Sequence, residues 1–150
     1  MMDITLACEL LIQSLQCGLR VPVRLTGILS PLVRPGDSVL LEQVDPERLG
    51  MGELVVFEGS SGLIAHRILQ KRRFGECAWF QTAGQRAHIP DPWIPGTWII
   101  GRASEIRQGT PGDRGRNAPG RWAGRLWAKR TQIRCLLHRA RALLNRFTWR

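Results

Sequence analysis

The chain has 150 residues and a mass of 16.9 kDa, enough for one domain and little more. A hydrophobic content of 43% excludes wholesale disorder. The net charge of +10 is segregated: residues 1–104 carry ten basic and ten acidic side chains, while residues 105–150 carry twelve and two, so a neutral globular part precedes a basic appendage.

In chain order, residues 3–17 predict a helix, with Ile4, Ala7, Leu11 and Leu15 at helical spacing, Asp3 as N-cap and Gly18 as stop. Residues 20–25 alternate, with Val21, Val23 and Leu25 on one side and Arg20 and Arg24 on the other, which predicts a strand; Pro22 assigns it to a sheet edge. The turn Arg34-Pro35-Gly36-Asp37 leads into a β-rich run over 38–42, and residues 44–52 read as loop. A short apolar strand, 54–57, and a returning strand, 63–69, flank the hairpin signal Gly59-Ser60-Ser61-Gly62. Two further strands are predicted over 78–82 and 98–103, with a polar, Pro-rich loop over 84–96 between them. Residues 109–120 hold four Gly, two Pro and no large apolar residue, and read as a linker within a 105–120 spacer. A second helix, basic and amphipathic, is predicted over 121–149. The expected divisions are thus a β domain with its N-terminal helix at 1–104, a linker at 105–120 and a tail at 121–150.

Cys8, Cys17, Cys77 and Cys135 lie far apart and form no C-x-x-C pair, so free thiols are expected, with neither a metal site nor a cofactor. No stretch reaches the ~18 apolar residues of a membrane span. Asp3 and Glu9 stand where a secretory signal would carry Lys or Arg, so the expected location is the cytoplasm or the periphery of a membrane.

The order of short motifs says more. Residues 27–42, GILSPLVRPGDSVLLE, are followed by Gly52-Glu53-Leu54-Val55, His66-Arg67-Ile68, Thr82-Ala83-Gly84-Gln85, Asp91-Pro92 and Gly101-Arg102. This succession resembles the signal peptidase I family and its relatives in the same serine-peptidase clan, among them the self-cleaving domains of LexA-type repressors. Their pattern runs G-x-S-M-x-P, R-x-G-D, G-D-[IV]-V, [KH]-R-[VI], T-x-G-D and a closing G-[RK]; the resemblance covers roughly residues 10–104. It implies a mostly β fold, a coiled antiparallel sheet forming a partly closed barrel with the N-terminal helix packed on it. It also implies a serine nucleophile, a Lys or His base, and, in the His type, an orienting acid. The chemical need is general: a hydroxyl is a weak nucleophile until a base within hydrogen-bond reach takes its proton.

Carried over residue by residue, the match is uneven. Pro31 and the Arg34-to-Asp37 turn put Ile28 at the nucleophile position and Leu29 where Met is usual, and isoleucine has no group with which to attack. Ser30 serves only if the loop is re-registered by two residues; otherwise it is a turn serine. His66 matches the base position. Gln85 replaces the Asp of T-x-G-D, and Asp91 is either the orienting acid or a turn residue before Pro92. The implied function is a signal-peptidase-like homologue that binds an extended peptide or precursor segment with proteolysis lost or impaired, alone or beside an active partner enzyme. The alternative is an active serine endopeptidase using Ser30 and His66.

The tail places Trp122, Leu126, Trp127, Arg130, Leu137, Leu144 and Phe147 in a pattern of apolar stripe, indoles and Arg that suits a membrane interface. A helix docked on a protein is the other reading of that pattern. A basic nucleic-acid-binding protein is a further alternative, disfavoured because phosphate binding needs no leucine stripe.

Overall fold

The computed structural model describes residues 4–24, 36–59, 62–84, 87–107, 116–117 and 121–147; of these, the side chains of 4–5, 116–117, 121–123 and 143–147 lie outside the description. The fold is mostly β: an antiparallel sheet with a helix at each end of the chain. The elements are α1 (Ile4–Gln16), β1 (Val21–Arg24), β2 (Ser38–Glu42), β3 (Leu54–Gly59), β4 (Gly62–Phe74), β5 (Cys77–Ala83), β6 (Trp93–Pro95), β7 (Ile99–Arg107), β8 (Arg116–Asn117) and α2 (Arg121–Phe147). Strand order is β1-β2-β7-β3-β4-β5-β6, with β8 added beside β7. The long strand β7 joins the two halves, pairing through Ile99 to Arg102 with β3 and through Arg102 to Arg107 with β2.

Alternation along β3 divides the interior in two. Leu54 and Val56 point to one face, where Leu11 and Leu15 of α1 close a core with Val39, Leu41, Ala65, Ala103 and Ile106. Val55 and Phe57 point to the other, against Leu49, Ile68, Ala78, Phe80 and Ile94. Helix α1 stops where expected. Gly18 takes φ 78°, its N–H donates to the Leu15 carbonyl (2.9 Å), and the Leu19 N–H donates to the Ser14 carbonyl (3.1 Å), the double bond of a Schellman cap. Pro22 sits in edge strand β1, where a missing N–H costs no ladder bond.

Three features depart from expectation. Strand β4 runs on through Phe74 and returns as β5 across a two-residue turn, Gly75-Glu76, with Gly75 at φ 61°. A short strand, β6, lies inside the loop expected over 84–96. The third concerns the boundaries at 104 and 120. Strand β7 continues through Arg107, and β8 falls within the expected linker, pairing Asn117 and Arg116 with Glu105 and Ile106; the rest of that linker, 108–115 and 118–120, lies outside the described residues.

Helix α2 is not a free tail. Its small residues Gly124, Ala128, Thr131 and Cys135 are buried on one face, and Ala128 packs with Leu69 and Ala83, flanked by Met51, Ala87 and Trp127. The Gln132 side chain donates to the Leu69 carbonyl (2.9 Å), a polar group that the docked helix would otherwise leave dry. Gly52 and Gly124 touch backbone to backbone: a Cβ on Gly52 would fall 1.9 Å from the Gly124 carbonyl carbon. No helix among the described residues is long and apolar enough to cross a membrane.

Candidate functional site

His66 stands on β4 opposite Val55 of β3, on the sheet face that carries Phe57, whose ring meets the imidazole edge-on at 6.2 Å. Asp91 reaches it from the loop between β5 and β6. That loop is pinned by its backbone: the Asp91 N–H donates to the Thr82 carbonyl (2.9 Å), and the Gln81 side-chain amide donates to the Asp91 carbonyl (3.2 Å). The Asp91 carboxylate oxygen Oδ2 then lies 2.6 Å from His66 Nδ1 and also accepts a 2.6 Å bond from the Thr82 hydroxyl.

These contacts set the electrostatics. Partial burial pushes the Asp91 carboxyl upward, but the hydrogen bonds from His66 and Thr82 and the imidazole's charge outweigh it, and its pKa lies below the ordinary carboxylate value. An ionised Asp91 accepts the Nδ1 proton of His66, which in the neutral ring leaves the lone pair on Nε2. Beside Nε2 stands Gly84: a Cβ at that position would lie 3.2 Å from Nε2 and 3.6 Å from Cε1. Glycine therefore places no side chain of its own against this flank of the ring. The arrangement is an imidazole with one nitrogen tied to a carboxylate and, among the described residues, no hydrogen-bond partner on the other, an arrangement that suits a general base.

Of the positions singled out in the sequence, His66 and Asp91 are brought together, whereas Ile28, Ser30 and Gln85 lie outside the described residues. Thr82 was legible as part of a motif but not as the second holder of Asp91; the side-chain contribution of Gln81 carried no signal at all.

The remaining motifs are linked to one another. Arg102 of β7 donates to Glu53 (3.0 Å) and to Glu42 of β2, and Glu53 also accepts from the Gly50 N–H (2.6 Å). The Glu42 hydrogen bond, with support from Glu53, raises the Arg102 pKa despite partial burial. Arg67, buried next to His66, donates to the Gly52 carbonyl (2.8 Å) and lies 6.0 Å from the Trp127 ring centre; desolvation lowers its pKa. Gly52 and Ile68 complete the junction through the Gly52 N–H to Ile68 carbonyl bond (2.7 Å).

The tail residues divide. Leu126, Arg130 and Leu137 are exposed, as a surface-binding stripe requires. Trp127 is half-buried: it packs beside the Leu69–Ala83–Ala128 cluster and over Arg67, because it lies next to the docked face of the helix. The side chains of Trp122, Leu144 and Phe147 lie outside the description. On the edge of α2 nearest the Asp91 loop, the rings of His88 and His138 stack with centroids 5.6 Å apart. Compared with known proteins, the chain matches no family model, no curated protein and no solved structure.

Proposed function

We propose that the chain is a peptide-binding relative of signal peptidase I-type serine peptidases, with the signal-peptidase/LexA type of β fold, that keeps the base and its orienting acid but lacks the nucleophile. The observation that carries this reading is the His66–Asp91–Thr82 network, which puts the candidate base under the control of a pinned carboxylate. The junctions of Glu53 with Arg102 and of Arg67 with Gly52 support it, since motifs far apart in sequence hold one another in place. With Ile28 at the nucleophile position, a bound extended peptide meets a base with no hydroxyl to activate. Such a protein holds or escorts a precursor segment without cutting it.

A second reading draws on the same geometry. A carboxylate fixed on an imidazole is what a working general base needs, which favours an active endopeptidase using Ser30. A fluorophosphonate serine probe on the full chain separates the two. The first reading expects no covalent label and no cleavage of a signal-peptide-like substrate. It also expects that peptide to perturb the His66 imidazole resonances on binding. Labelling that disappears in Ser30→Ala establishes the second reading in its place, and a His66 signal indifferent to every such peptide removes the peptide-binding reading altogether.

A further inference from the structure

Helix α2 has two working faces, and only one of them meets the sheet. At about 100° per residue, the buried Gly124, Ala128, Thr131 and Cys135 fall within roughly 60° of one another. Leu126, Ile133 and Leu137 fall on the opposite side of the helix, within about 40° of one another. They are 43%, 57% and 61% exposed. One edge of this stripe carries Arg130, Arg134 and Arg141, all exposed. With Ile133, Leu137, His138 and His88 these arginines line a concavity of about 400 Å³. Lys129 lies on the other edge. Residues 121–147 contain eight basic and no acidic side chains.

We propose that this outer face of α2 docks on an anionic phospholipid surface, the leucine and isoleucine side chains entering the headgroup boundary and the Arg130–Arg134–Arg141 edge taking phosphate groups. The choice of occupant follows from the combination of charge and shape. A second copy of the chain would bring two all-cationic helices together along the stripe, and like charges at that spacing repel. Nucleic acid satisfies the arginines but leaves Leu126, Ile133 and Leu137 in water. An anionic bilayer satisfies both at once: the stripe gains burial and the flanking arginines stay at headgroup level. The inner face explains why this is a docking surface and not a free peptide's amphipathicity. The domain already occupies the small-residue face, so the large apolar side chains have no partner within the described part of the molecule. The proposal stands apart from the peptide reading, because none of its residues touches His66.

The test is co-sedimentation of the full chain with vesicles of phosphatidylcholine containing phosphatidylglycerol, against vesicles of phosphatidylcholine alone. The wild type is expected to bind the anionic vesicles and to lose affinity as salt rises. Ile133→Gln with Leu137→Gln leaves the charge unchanged and alters two side chains more than half exposed; it is expected to weaken anionic-vesicle binding at least tenfold with the melting temperature unmoved. Arg134→Gln with Arg141→Gln is expected to weaken it by a similar factor at low salt. Wild-type affinity in either double variant overturns the proposal, as does equal binding to both vesicle types. Duplex DNA that displaces the protein from vesicles, and that binds the Ile133→Gln/Leu137→Gln variant as tightly as wild type, also overturns it and assigns the face to nucleic acid.

Discussion

At the scale of single residues, Asp91 is held between His66 and Thr82. Its carboxyl titrates below the ordinary range because His66 and Thr82 hydrogen-bond to the ionised form. A carboxylate depressed in the folded state adds stability above its unfolded pKa of about 4, and that contribution disappears as pH falls through the lower folded value. Asp91→Asn should therefore cost on the order of 1 kcal/mol near neutrality, and denaturation curves of variant and wild type should converge as pH falls through the lowered folded value. The same carboxylate makes a forecast about lost chemistry. Gln85 stands where the resemblance expects an acid, whereas Asp91 is the carboxylate hydrogen-bonded to His66. Ile28→Ser alone should then introduce labelling by a serine probe, and adding His66→Ala or Asp91→Asn should reduce the labelling rate by roughly 10²–10⁴. Labelling of Ile28→Ser that ignores His66 would show that position 28 does not face the dyad.

At the scale of elements, the least expected packing is that of α2 on the sheet, and it depends on two glycines. A Cβ on Gly124 would stand 2.6 Å from the Gly52 carbonyl oxygen, a clash with backbone that no side-chain rotation relieves. Gly124→Ala should cost about 1–3 kcal/mol, and hydrogen exchange should rise in the first turns of α2 while the ladder between β2 and β7 stays protected. This packing also shows why part of the fold was hidden in the sequence. The sequence's periodicity reported Leu126 and Leu137 as part of a stripe, but they are the outer face; the inner face is written in Gly, Ala, Thr and Cys, whose hydrophobic signal is weak and whose value is close approach. The second hairpin was hidden for a related reason. Gln70, Lys71, Arg72 and Arg73 give no period-2 alternation, and a bulge between Ile68 and Gln70 shifts the register there. By contrast, the Gly18 stop and the Pro22 edge were legible, because each depends on one residue's backbone chemistry. At the site, His66 and Asp91 could be named from motif order, but their meeting depends on how the Asp91 loop folds back onto Thr82.

At the scale of the whole molecule, the basic C-terminal segment belongs to the core as much as to the surface. Leu69 and Ala83 are buried with Ala128 of α2, and Met51 packs beside them. The expectation of a separable tail gives way to a different forecast: ending the chain after Arg107 should uncover this cluster, at roughly 1.5–3 kcal/mol for each large side chain exposed, and the shortened protein should melt lower and self-associate. A truncated domain melting with the full chain would show that α2 adds nothing to the sheet. The stacked rings of His88 and His138 give this coupling a direction. They tie α2 to the loop that, three residues later, presents Asp91 to His66. Helix and loop are thereby joined, and breaking the stack with His138→Ala is expected to loosen the loop that holds Asp91, read as a change in the His66 resonances. A His66 signal that stays fixed when the stack is broken would show that helix and dyad are held independently.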